Sequence, residues 1–198
     1  KYANLALEIF PSDPDLYLMK GFGKFYFMKD YAGAEKEFLT ALKLAQTDSL
    51  RSVIYCTLGD NCQRMGNSKQ TYAYYRKGLK YDPDNSMLLN NYSYYLSEQN
   101  EKLQLADRMS QRACELSPKI PTYIDTRDWV LYRLGRYAEG KTLMQQGIAL
   151  GKELYLHYGD ILYALNDTFM AIFYWEKAKE LGYDPEQIDQ RIKQAKSK

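Results

Sequence analysis

The sequence predicts an all-α chain, a solenoid of stacked antiparallel helix pairs. Three observations carry that expectation. Short motifs recur at near-constant spacing, apolar residues fall three and four apart, and Gly, Asn or Pro interrupts the pattern at regular intervals.

The repeat is plainest in two stretches that align without gaps. Tyr55-x-x-Leu58-Gly59-x-x-Cys62 is followed by Thr71-x-x-x-Tyr75, Gly78 and Pro83; Tyr155-x-x-Tyr158-Gly159-x-x-Leu162 is followed by Ala171-x-x-x-Trp175 and Ala178. Both Gly59 to Thr71 and Gly159 to Ala171 span 12 residues. Once that frame is set, three more copies follow. The first carries Leu18, Gly21, Phe25, Ala34, Phe38 and Ala41. The third carries Leu89, Tyr92, Ser93, Leu96, Ala106, Ala113 and Pro118, and the fourth Ile124, Leu131, Gly140, Met144 and Gly147. The small residue opening each second helix recurs at Ala34, Thr71, Ala106, Gly140 and Ala171, at intervals of 37, 35, 34 and 31.

The residue types make physical sense. Small residues such as Gly59, Gly159, Ala41, Ala113 and Ala178 let two helix backbones approach, and Phe38, Tyr75 and Trp175 fill the space towards the next unit. Turns inside each unit read Lys29-Asp30, Gly66-Asn67, Asn100-Glu101, Gly135-Arg136 and Asn166-Asp167, with the left-handed residue that ends a helix. Turns between units carry Pro11 to Pro14, Asp82-Pro83-Asp84, Ser117-Pro118, Gly151 and Gly182.

These motifs resemble the tetratricopeptide repeat (TPR), with its aromatic, Leu-Gly, aromatic, Ala-x-x-x-aromatic and Pro. The resemblance covers residues 2 to about 183 and implies a right-handed superhelix. It divides the chain into the second half of an upstream repeat at 1–11, repeats at 12–48, 49–84, 85–119, 120–151 and 152–183, and a capping helix at 184–198. On that reading the solenoid extends upstream of Lys1, and the true C-terminus lies at or near Lys198. The segments NNYSYYLSEQN and YIDTRDWVLYRLGRYAEG look like those of bacterial TPR proteins, many of them envelope lipoproteins. An envelope setting is therefore expected, with the cytoplasm as the alternative. One departure is Asp128, at a position that normally holds Gly or Ala. A carboxylate at a helix contact is costly unless paired, so exposure, or a partner such as Arg127 or Arg133, is expected.

Composition excludes several function classes. The chain has 198 residues and a net charge of +2, without the basic face that dominates phosphate binding, so no nucleic-acid partner is expected. No apolar stretch is long enough to span a membrane. Cys56, Cys62 and Cys114 form no C-x-x-C pair, and buried free thiols are expected rather than a disulfide or zinc site. His157 is the single histidine, and a lone histidine on a helix is usually a surface or packing residue. No nucleophile setting, metal-ligand spacing or phosphate loop is present, so no enzyme activity, metal or cofactor is expected.

Binding is the better prospect. The resemblance implies a concave face lined by the first helix of each unit. Its rows read Met19, Cys56, Asn90, Asp125, Leu156; then Gly23, Asp60, Tyr94, Trp129, Asp160; then Tyr26, Gln63, Ser97, Tyr132, Tyr163. The partner-binding candidates are Asp60, Gln63, Arg64, Asn90, Asn91, Tyr94, Asp125, Trp129, Tyr132, Arg133, His157 and Asp160. Asn can bond a peptide backbone on both its sides, and Trp, Tyr and Arg are frequent binding anchors. The Lys/Asn/Arg carboxylate clamp of some TPR domains has no cations here. The acids Asp60, Asp125, Glu153 and Asp160 instead favour a neutral or basic peptide. The expected function is a protein-interaction scaffold. A structural or oligomerising segment, with homo-oligomers, and an accessory domain of a larger envelope protein are the alternatives.

Overall fold

A computed structural model describes residues 2–148 and 154–197, and among them every regular element is helical. The turn expected at Gly151 and the groove acid Glu153 lie outside the described residues. The chain divides into two compact units, residues 1–92 and 93–198.

The first unit holds α1 (Tyr2–Ile9), α2 (Pro14–Phe22), α3 (Tyr31–Leu44), α4 (Asp48–Arg64) and α5 (Ser68–Tyr81), with the start of α6 (Ser86–Glu98). The second holds the rest of α6, then α7 (Leu103–Leu116), α8 (Pro121–Arg133), α9 (Tyr137–Gly147), α10 (Tyr155–Ala164), α11 (Thr168–Glu180) and α12 (Pro185–Lys196). Consecutive helices joined by short turns pack as pairs, α2 on α3 and α4 on α5 in the first unit, α8 on α9 and α10 on α11 in the second.

Local chemistry sets these boundaries. Asp30, Thr47, Asn67 and Asp167 each accept a hydrogen bond from the backbone N–H three residues on, satisfying a donor that the first helical turn leaves free. Asn85 does the same for Leu88, and its Nδ2 donates to Ser52 Oγ at 3.0 Å. Left-handed residues fall where turns were expected, at Lys29, Gly66, Asn100, Gly135, Asn166 and Gly182, and also at Lys102 just before α7. In the first pair α2 runs on into a π-helical turn, Gly23–Met28. Gly21 to Ala34 is one residue longer than Gly59 to Thr71, and the wider i→i−5 winding takes up that extra residue. This turn leaves Tyr26, Phe27 and Met28 exposed.

The core is built as the residue types imply. A β-carbon at Gly21, Gly59 or Gly159 would collide with the ring of Phe38, Tyr75 or Trp175 respectively, so each of these aromatics packs close against a bare helix backbone. One apolar cluster gathers Leu18, Phe25, Phe38, Ile54 and Leu58 in the first unit. Another gathers Met144, Leu154, Tyr158, Leu162 and Trp175 in the second, where Ile188, Ile192 and Ala195 of α12 close it. Cys56 and Cys62 are buried free thiols; Cys114 is also free but only half-buried. Burial pushes Cys62 and Cys114 up to about 11, so both stay protonated at neutral pH.

Candidate functional site

In the first unit, Asp60 follows Gly59 on α4 and is enclosed. Tyr75 Oη donates to its carboxylate, and Asn91 Nδ2 donates to both oxygens at 3.2 and 3.1 Å. Burial raises the Asp60 pKa, with Tyr75, Asn91 and Arg64 pulling the other way. Asn90 is buried and gives its Nδ2 to Asn91 Oδ1 at 3.2 Å. These amides, expected to face a peptide backbone, thus bond within the chain. The groove rows also lose Cys56 here, and Ser97 in the second unit, both buried. Gln63 is half-buried, and Arg64 at the end of α4 is exposed.

The second unit repeats the acid–aromatic device. Asp160 follows Gly159, and Trp175 Nε1 donates to its Oδ1 at 2.9 Å. Arg191 of α12 adds a second donor at 3.1 Å, tying the last helix to α10. Desolvation raises the Asp160 pKa against the charges of Arg191 and His157. The spacing from acid to aromatic donor is 15 residues in both places, Asp60 to Tyr75 and Asp160 to Trp175. Where the filling aromatic is Phe38, with no donor, the residue after Gly21 is Phe22 rather than an acid.

Asp125, Trp129, Tyr132, Arg133 and His157, all on α8 and α10, come together. The Trp129 ring stacks with Tyr132, centroids 5.3 Å apart and 6° between planes, and with His157 at 5.1 Å and 23°. The Arg133 guanidinium lies 5.5 Å from the Trp129 ring, a cation–π contact. Among the described residues no carboxylate pairs with Arg133. Tyr94 on α6 is 37% exposed. His157 is half-buried, and its Nδ1 lies 2.7 Å from Asp125 Oδ1. Burial works against the imidazolium, but the Asp125 hydrogen bond and the charges of Asp125, Asp160 and Asp128 outweigh it, and its pKa rises. The histidine is therefore held against a carboxylate rather than being an isolated packing residue. A pocket of about 250 Å³ opens beside the stack, lined by Trp129, Tyr132, Asp160, Tyr163, Trp175, Arg191 and Gln194.

Asp128 departs from expectation. It is neither exposed nor paired: its exposure is 0%, and neither carboxyl oxygen has a hydrogen-bond partner. Arg127 turns away to Asp107 and Ser110 on α7, and Arg133 turns to Trp129. Burial pushes the Asp128 carboxyl up to about 8, with His157 lowering it and Asp125 and Asp160 raising it. It is thus largely neutral at pH 7, which removes most of the penalty that pairing was expected to offset. Room for it comes from Gly140 on α9, where a β-carbon would sit 2.7 Å from Asp128 Oδ1. The signal was present in the sequence: where most units open their second helix with Ala or Thr, this one has Gly.

Residues 53–85 match the family model described as Tetratricopeptide repeat. A TPR repeat-containing protein of Pseudomonas aeruginosa is 30% identical over 67 residues, 34% of this chain and 11% of that protein. The chain therefore spans about a tenth of the length of this curated relative. Among solved structures, PilW, a widely conserved type IV pilus biogenesis factor, has a TM-score of 0.80 at 13% identity, over 93% of this chain and 86% of that one. YrrB, described as a TPR protein with an unusual peptide-binding site, has a TM-score of 0.70 at 17% identity, over 98% of each. The chain contains a tetratricopeptide repeat and has the all-α fold of tetratricopeptide-repeat proteins.

Proposed function

We propose that the chain is a protein-interaction module and that Tyr94, Trp129, Tyr132 and Arg133 form its partner-contacting face in the second unit. The observation that carries this is the stack itself. Trp129 is fixed by Tyr132 and His157 before any partner arrives, so little side-chain freedom remains to be lost on binding. The acids Asp60, Asp125 and Asp160 all have partners inside the chain. Of the neutral-to-basic range of peptides, the neutral end therefore fits best, with an apolar or aromatic side chain set against the stack. TPR proteins generally act as protein-interaction scaffolds, and the description of YrrB as a peptide binder supports the reading. A bacterial envelope setting belongs to the same proposal, supported by the likeness to the pilus biogenesis factor PilW; cell fractionation tests it.

The test is affinity capture from the native lysate with the chain and with a Tyr94→Ala/Trp129→Ala/Arg133→Ala variant, both checked for helical content. A specific partner retained by the first and reduced at least about tenfold with the second is expected, since anchor truncations commonly cost more than 1 kcal/mol each. Equal retention by both moves the contact off this face. Self-association is a second reading, favoured by Tyr26, Phe27 and Met28, exposed together at 65%, 89% and 72%. Mass that rises with concentration would support it.

A further inference from the structure

The Trp129–Tyr132 stack stands on ionisable groups that partner contact does not itself require. Asp128, next to Trp129 in the chain, is fully buried without a hydrogen-bond partner. The helices packed against α8 are α7, α9 and α10. From α9 Asp128 meets Gly140, which brings no charge. From α10 it is influenced by His157 and Asp160, and the Tyr158 phenol, neutral at these pH values, also feels its charge; within α8 it is influenced by Asp125. Asp160 is already held by Arg191 of α12 and Trp175 of α11. On α7, Asp107 is neutralised by Arg127 and Arg136. Among the described residues, the group left to balance a charge on Asp128 is the His157 imidazole. That ring is committed to Asp125 at 2.7 Å and supports Trp129 at 5.1 Å.

We propose that Asp128 and His157 form a proton-operated switch beneath the Trp129–Tyr132 face. With its proton in place, Asp128 is a neutral group that α8, α9 and α10 can close around, and His157 stays on Asp125 with the stack assembled. When the carboxyl releases its proton to solvent, a full negative charge is left in an apolar contact with no partner. The carboxylate then draws His157 away from Asp125, or opens α8 to water, and either movement removes the support under Trp129. Burial sets the transition on the mildly alkaline side of neutral, with Asp128 at about 8. The proposal deepens the binding reading, since it describes regulation of the same face, but the switch operates in the free chain.

The experiment is a pH titration of the whole 15N-labelled chain by NMR from pH 6 to 9.5. The chain has two tryptophans, so the Trp129 indole N–H signal is assigned by its loss in Trp129→Phe. The expected result is a shift or broadening of that signal with a midpoint near pH 8. In Asp128→Asn, where position 128 cannot ionise, the transition near pH 8 should be lost, leaving only the change that the titration of the stacked His157 itself produces. Asp128→Ala serves the same purpose if the Asn variant does not fold. A Trp129 signal constant from pH 6 to 9.5 in the unaltered chain overturns the switch, and so does the same transition surviving in both Asp128 variants. The titration uses no ligand, so a failure of partner capture bears on the binding reading alone.

Discussion

Trp175→Ala should destabilise the C-terminal helices by about 3–5 kcal/mol, the range for emptying a large aromatic site in a core. Trp175 is 2% exposed and sits in one cluster with Ile188, Ile192 and Ala195, so its removal undercuts both α10 and the closing helix α12. It also takes from Asp160 its 2.9 Å indole donor, leaving Arg191 alone to hold a largely enclosed carboxylate. Trp175→Phe keeps most of the volume and loses the donor, so a smaller loss of about 1–3 kcal/mol is expected. Repeat proteins lose structure in neighbouring segments rather than all at once. Hydrogen exchange is therefore the measurement: amides of α10, α11 and α12 should lose protection, while those of α2–α5, which pack in a separate cluster, change little. If Phe proves as damaging as Ala, the hydrogen bond rather than packing dominates at this site.

The second large effect is a change of sign. In the unaltered chain Gly140→Ala should cost about 1–3 kcal/mol, because its methyl would come within 2.7 Å of both Asp128 Oδ1 and Ile161 Cδ1. In an Asp128→Ala background the carboxyl is gone and the remaining clash is with Cδ1, the flexible end of Ile161; once that methyl moves aside, the same substitution fills the vacated space with a residue better suited to a helix by up to ~1 kcal/mol. Gly140→Ala should then stabilise. The measurement is denaturant unfolding of the four members of the cycle, and additivity of the two single changes would contradict the proposed contact.

The pH dependence of the same variants follows from the Asp128 carboxyl, which stands at about 8 when folded against 3.8 ordinarily. Between those values the folded chain holds a proton that the unfolded chain releases. This contribution to stability is therefore greatest below about pH 4, falls as pH rises and levels off above about 8. His157, raised by Asp125, acts in the same direction, its contribution disappearing as pH rises through its folded value. Asp128→Ala should remove the Asp128 part of that slope.

Helices and turns were legible because each boundary is a local event. Asn67 and Asp167 cap the helices that follow them, and Gly66 and Asn166 supply the left-handed residue just before. Gly59 and Gly159 were legible as sites of close approach, but what approaches each is the ring of Tyr75 or Trp175, which had been expected to fill the space towards the next unit. The state of the acids was not, because it depends on what crosses from the neighbouring helix. Asp60 and Asp160 read as groove charges, yet the aromatic that fills the core also supplies each with a donor. Asp128 read as a residue in need of exposure or of a cation; burial that keeps it protonated, and a glycine across the contact, replace both. The π-helical turn at Gly23–Met28 was visible only as one residue too many before Ala34.

The most direct test of the binding face is to map a ligand onto it. A short peptide selected from a random display library against the whole chain would be titrated into 15N-labelled protein at pH 6.5, where Asp128 holds its proton. The result predicted here is a cluster of shifted signals at Tyr94, Trp129, Tyr132 and Arg133, with affinity reduced at least about tenfold by Trp129→Ala. Shifts confined to α7, α9, α11 and α12, with Trp129→Ala binding as tightly as the unaltered chain, would contradict it.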